Sequence, residues 1–124
     1  MQRPIKPTGA ELEVLQVLWD SGSATVRDIH NTLKATHSTG YTTVLKIMQI
    51  MFEKGLLDRD VSSRAHVYSA SVNQEDTQGQ FVKEMVSKVF AGSTSQLVVR
   101  ALDGKSSKAE IAEIRAILNR LEGK

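Results

Sequence analysis

Thr42, Lys46, Gln49 and Glu53 follow one another at steps of three or four residues. At roughly 100° per residue they fall within about 60° of one another on one side of a helix. Tyr41 and Thr43 stand beside them. The chemistry this set offers is recognition by hydrogen bonds, not bond making. A lysine ammonium donates to guanine, a glutamine amide pairs with adenine, and threonine brings a hydroxyl and a methyl to a base edge. On the other side Val44, Ile47, Met48 and Met51 form an apolar stripe. A helix with these two faces, within Thr39 to Gly55, has the character of a DNA recognition helix, and the rest of the chain must position it.

Other chemistries are poorly represented. The 124 residues contain no cysteine, which excludes disulfides, cysteine-ligated zinc and thiol catalysis. His30, His37 and His66 share no helical spacing and read as surface or hydrogen-bonded imidazoles, so no metal is expected. No local Ser/His/Asp grouping and no phosphate-binding glycine loop occurs; neither an enzyme nor a cofactor is expected. No apolar run approaches the ~18 residues of a membrane span, and the N-terminal MQRPIKPTGAE lacks a signal-peptide core. A cytoplasmic protein without membrane insertion is the expectation. The net charge is +2, and residues 1–72 and 73–124 each carry eight basic and seven acidic side chains. Charge totals therefore mark no DNA-binding half.

The elements around the helix follow from local signals. Thr8-Gly-Ala-Glu11 is a capping box, opening a helix with Leu12, Val14, Leu15, Leu18 and Trp19 that runs to Ser21 and stops at Gly22. Trp19 is expected in the core. Ser23 to Val26 is a short extended piece; Thr25 caps a second helix with Asp28 three residues on, and Val26, Ile29 and Leu33 form its inner face. Ala35 to Gly40 is the turn into the recognition helix, with Thr39 or Gly40 as its cap, and Lys54-Gly55 ends it. Two β-prone runs, Leu56 to Val61 and Ala65 to Ala70, surround a three-residue loop, Ser62-Ser63-Arg64. They predict a hairpin wing with Arg64 placed for a phosphate. Arg59, flanked by Asp58 and Asp60, is a weaker candidate. Arg3 and Lys6 belong to an N-terminal arm that reads as a solvated tail.

Residues 73–124 read as helix throughout. Asn73 or Asp76 can open the first stretch, where Phe81, Val82, Met85, Val86, Val89 and Phe90 make a wide apolar face ended by Gly92. Leu97, Val98, Val99, Ala101 and Leu102 form a short apolar helix closed by Asp103-Gly104. Ser107-Lys-Ala-Glu110 is a second S-x-x-E box, followed by Ile111, Ile114, Leu118 and Leu121 at a/d-like spacing, with Ile117 between. A segment this short rarely supports its own core. We therefore expect a mainly α protein with a small β-hairpin wing: a winged helix-turn-helix domain at 1–72 and a helical dimerisation domain at 73–124. Its dimer interface is expected at Phe81, Met85, Val89, Leu97, Val98, Ala101, Leu102, Ile111, Ile114, Leu118 and Leu121.

Five pieces at this mutual spacing resemble the penicillinase repressor family of the BlaI/MecI type: E-x-E-V-L-x-x-L-W (Glu11 to Trp19), T-V-R-D-I (Thr25 to Ile29), G-Y-T-T-V-L-K (Gly40 to Lys46), E-K-G-L-L (Glu53 to Leu57) and R-A-H-V-Y (Arg64 to Tyr68). The resemblance implies a winged-helix repressor that dimerises and binds a palindromic double-stranded DNA operator. It places DNA contacts at Thr42, Thr43 and Lys46, with Arg64 on the wing; Thr43, toward the flank, is expected to touch a backbone phosphate. Some members carry a basic residue where this chain has Ile50, and a polar or basic one at Leu45, so part of the phosphate grip must come from elsewhere. In antibiotic-resistance members a membrane sensor metalloprotease leads to cleavage in the helix matching Leu97 to Leu102. Their Asn-Phe pair corresponds to Arg100-Ala101 here, a departure that argues against cleavage of the same specificity. Copper-responsive relatives bear a C-terminal cysteine cluster that this chain lacks. A competing reading is a winged-helix module that binds protein instead of DNA through Leu45, Ile50 and Phe52.

Overall fold

The computed structural model describes residues 6–123. Its order is α1 (Gly9–Ser21), α2 (Val26–Leu33), α3 (Tyr41–Lys54), β1 (Leu57–Asp60), β2 (Val67–Ala70), α4 (Gln74–Lys88), α5 (Thr94–Ala101) and α6 (Lys108–Leu121). The chain divides into two compact units, the first ending at Phe81 and the second starting at Val82.

Capping chemistry sets the starts of α1 and α2. The Thr8 hydroxyl accepts the Glu11 N–H at 3.2 Å while a Glu11 carboxylate oxygen accepts the Thr8 N–H at 2.9 Å. Thr25 and Asp28 repeat the exchange at 3.1 Å in both directions. Each exchange satisfies two N–H groups that the helix cannot. Gly22 and Gly55 end α1 and α3 at φ +88° and +86°, a region that a side chain makes costly.

The apolar stripes of the three helices meet in one core. Val14, Leu15, Leu18, Ile29, Val44, Met48, Met51 and Leu56 are essentially sealed from solvent. Burying each of the larger ones stabilises the fold by about 1.5–3 kcal/mol relative to exposure. Trp19 is not fully interior. It packs partly buried against this cluster and its indole N–H donates to the Val72 carbonyl at 3.1 Å. An amphipathic ring with a polar handle suits that boundary.

The wing pairs Leu57 with Ala70, Asp58 with Ser69, Arg59 with Tyr68 and Asp60 with Val67. Its connection is six residues, 61–66, twice the loop expected from sequence. The Asp60 carboxylate accepts the Ser62 N–H at 2.9 Å, and the Ser63 hydroxyl donates to the Ala65 carbonyl at 3.0 Å. These local bonds compete with the ladder and end it early. The Ser62 side chain, and then its N–H, hold the Asp60 carboxyl below its ordinary value. On its other side Tyr68 exchanges backbone hydrogen bonds with Ala24 at 2.8 and 2.9 Å, so the extended piece before α2 adds a third, one-residue strand. Asn73 opens α4, its side-chain oxygen accepting the Asp76 N–H at 3.1 Å, and Thr77 is buried.

In the second unit Ser93 caps α5, which therefore begins at Thr94, a turn earlier than the apolar run indicates. Ser107 caps α6 by accepting the Glu110 N–H at 3.1 Å. Neither α5 nor α6 buries a residue. Val82, Met85, Val89, Val98, Val99, Ile111, Ile117, Leu118 and Leu121 are exposed. Ala91 takes φ +49°, the left-handed region, just before Gly92.

Candidate nucleic-acid interface

The core fixes how α3 presents its outer face. With Val44, Met48 and Met51 buried, the helical phase leaves Thr42, Thr43, Lys46, Gln49 and Glu53 exposed. Among the described residues no side-chain hydrogen bond or ion pair engages Thr42, Thr43, Lys46 or Gln49. Four polar groups are thus free on two adjacent turns. α3 also differs at its start: Gly40 supplies no side-chain cap, so the first-turn N–H groups keep the partial positive charge that attracts anions.

Two tethers hold the ends of α3. At its last turn the Lys54 ammonium lies 2.7 Å from a carboxylate oxygen of Glu11, joining the end of α3 to the start of α1. Burial by itself pushes the Glu11 carboxyl up, but the Lys54 ammonium and the Thr8 N–H and hydroxyl outweigh it and hold it below the ordinary glutamate value. At the other end a ring nitrogen of His30 bonds to the Thr39 carbonyl at 3.1 Å. The His30 ring also meets the Tyr41 ring edge to face, at 5.9 Å between centroids. His37, in the turn before α3, pairs with Glu13 at 2.9 Å. Among the described residues no group of three acidic or imidazole side chains is arranged to hold a metal ion.

Two clefts border the outer face. One, of about 420 Å³, lies between the start of α2, the start of α3 and the wing. Its lining includes Arg27, Tyr41, Leu45, Arg64, His66 and Tyr68. Arg64 is exposed in the wing connection and thus shares a cleft with Tyr41. The other, of about 450 Å³, is lined by Lys46, Gln49, Ile50, Phe52, Glu53 and Arg59.

Two cations here carry little or no signal in the sequence. Arg27 sits on α2 with its guanidinium 5.2 Å from the centre of the Tyr41 ring. Its position two residues past a capping threonine carries no signal of that tertiary contact. Arg59 lies 4.0 Å from the centre of the Phe52 ring, and its Nε has no hydrogen-bond partner among the described residues. The period of two was legible there: Leu57 and Arg59 share the inner strand face, and Asp58 and Asp60 point away. The flanking acids therefore do not neutralise Arg59 by contact. Leu45 and Phe52 are half-buried against the core, which leaves Ile50 as the exposed apolar residue of the three invoked for protein binding. Lys6 lies over the Phe81 ring at 5.2 Å; Arg3 falls outside the described residues.

A family model described as Penicillinase repressor matches residues 7–120. The chain belongs to the penicillinase repressor family. Among curated members, the methicillin resistance regulatory protein MecI of Staphylococcus aureus (strain N315) is 25% identical over 114 residues, covering 91% of this chain and 93% of MecI. The penicillinase repressor of Bacillus licheniformis is 24% identical over 110 residues, covering 88% and 86%. Two solution structures of the repressor BlaI share the winged-helix fold at 25% identity, each covering 61% of this chain and 93% of the BlaI chain. The isolated DNA-binding domain superposes with a TM-score of 0.54. The Bacillus licheniformis BlaI monomeric form, in complex with the blaP half-operator, superposes at 0.52. This family of transcriptional repressors accounts for a first unit built to hold one helix face open. Among the described residues no helix is long and apolar enough to cross a membrane.

Proposed function

We propose that this chain is a cytoplasmic, dimeric, sequence-specific transcriptional repressor that binds a palindromic operator. Thr42, Lys46 and Gln49 read base edges, Tyr41 and Thr43 lie against the backbone at the start of α3, and Arg64 holds a phosphate from the wing. The observation that carries the reading is the set of four uncommitted polar side chains on an exposed face of α3, pinned at both ends. The BlaI half-operator complex supports it by likeness.

The functional division we propose is 1–72 for DNA and 73–124 for dimerisation. Met85, Val89, Val98, Ile111, Leu118 and Leu121 are exposed, with Leu97, Leu102 and Ile114 half-buried and Ala101 exposed among them. Such a concentration of apolar surface in one small unit is what a self-complementary partner covers. Phe81 stands apart from that set, half-buried in the first unit beneath Lys6. By family analogy a partner is a membrane sensor metalloprotease that leads to cleavage at Arg100-Ala101, both exposed at the end of α5, with a specificity other than that for the Asn-Phe pair.

The test is binding to a duplex from the region upstream of its own gene, against a random duplex of equal length. Losing one good base contact costs about 1–3 kcal/mol, or about 5- to 150-fold in specificity. Lys46→Ala and Thr42→Ala should lower the specific-to-random ratio by that order, whereas Arg64→Ala should weaken both duplexes alike. Parent-like ratios for both α3 variants would remove the recognition role of this face.

A further inference from the structure

We infer that the cleft between the start of α2, the start of α3 and the wing connection seats the backbone of bound DNA, with Arg27 neutralising a phosphate of its own beside the one held by Arg64. The inference rests on the proposed DNA-binding function and deepens it, since none of the DNA contacts expected from the sequence, Tyr41, Thr42, Thr43, Lys46, Gln49 and Arg64, lies on α2.

Three observations converge on Arg27. It lines the same cleft as Arg64 and His66, so positively charged or chargeable groups from two separate elements face one space. Among the described residues no carboxylate pairs with either arginine. That separates them from Lys54, Lys88 and Arg100, each of which has an acidic partner. The acid next to Arg27 in the chain, Asp28, is committed to the Thr25 N–H. Finally, the guanidinium lies against the Tyr41 ring at 5.2 Å, and His30 braces that ring. Stacking on an aromatic ring restricts the guanidinium and leaves its N–H edges free for oxygen. A planar, pre-oriented fork of donors matches a phosphate oxygen pair. Tyr41 is then a positioning residue for Arg27 as well as a surface neighbour of the DNA.

A phosphate grip is sequence-independent, so the probe is a short random-sequence duplex, with affinity measured against salt concentration by fluorescence anisotropy on the full chain. Each phosphate neutralised contributes about 0.9 to the slope of log affinity against log salt. Arg27→Ala should therefore lower the slope by about one, and the loss of affinity between 50 and 200 mM salt should shrink by about 3.5-fold. Arg27→Lys should keep most of the slope. The thermal midpoint should not move in either variant, because the side chain is exposed. An unchanged slope in Arg27→Ala overturns the inference while the recognition-helix reading stands. Equal slope loss in both variants also overturns it, since the charge is then not what matters. No binding by the parent protein at low salt overturns the DNA reading itself, and this inference with it.

Discussion

Replacing Lys54 by methionine isolates the tether between the end of α3 and the start of α1. Methionine keeps most of the apolar stem and deletes the charge. Glu11 is then left with a side chain only 5% exposed and without its cation. Breaking a buried pair from one side costs about 3–5 kcal/mol. Lys54 is 36% exposed, so water already screens part of the attraction, and about 2 kcal/mol is the working figure. For a unit of this size that lowers the thermal midpoint by roughly 10 °C. Glu11→Gln retains an oxygen for the Thr8 N–H, and the double variant should be more stable than the two single losses predict when summed. Denaturant titrations of the four proteins give the coupling directly. Additivity within about 0.5 kcal/mol would refute the tether. The pH dependence supplies an independent check. Glu11 is held below its ordinary value, so its contribution is complete above the unfolded carboxyl range and disappears as pH falls through the folded value. Lys54→Met removes two of the effects that lower it, and the acid-side loss of stability should become shallower.

The apolar surface of the second unit makes a second prediction: Leu118→Asp or Leu121→Asp should shift sedimentation toward the monomer while leaving the far-ultraviolet helical signal nearly unchanged. Ala91, at φ +49°, should gain about 1 kcal/mol of stability when replaced by glycine, read from the denaturation midpoint. Thr25→Ala opens the capping box of α2 and should cost about 1 kcal/mol; an unaltered midpoint would show that the box adds nothing beyond water.

What the sequence revealed, and what it hid, follows from the range of each interaction. Thr8, Thr25 and Ser107 cap helices through bonds within three residues, and a single sequence carries such signals well. The phase of α3 was equally legible, because Val44, Met48 and Met51 define it by spacing alone. The six-residue wing connection was hidden by a competition: Asp60, Ser62 and Ser63 fit a strand end or a turn, and only the geometry shows which bonds form. Arg27 was hidden for a different reason. Its contact with Tyr41 spans the turn between α2 and α3, and no periodicity encodes the approach of two helices. Trp19 reads as core by type, yet its N–H needs an acceptor, which the Val72 carbonyl supplies from far along the chain.

The one-residue bridge at Ala24 bears on self-association. By occupying the far side of β2 it leaves β1, among the described residues, as the open edge of the sheet. A free edge invites a strand from another molecule. β1 is only four residues long, and Asp58 and Asp60 stand on its outer face. Short length and outward charge are the means by which natural sheets discourage edge-to-edge growth. The acids that made Arg59 the weaker phosphate candidate thus act as gatekeepers against strand addition at the edge of the wing.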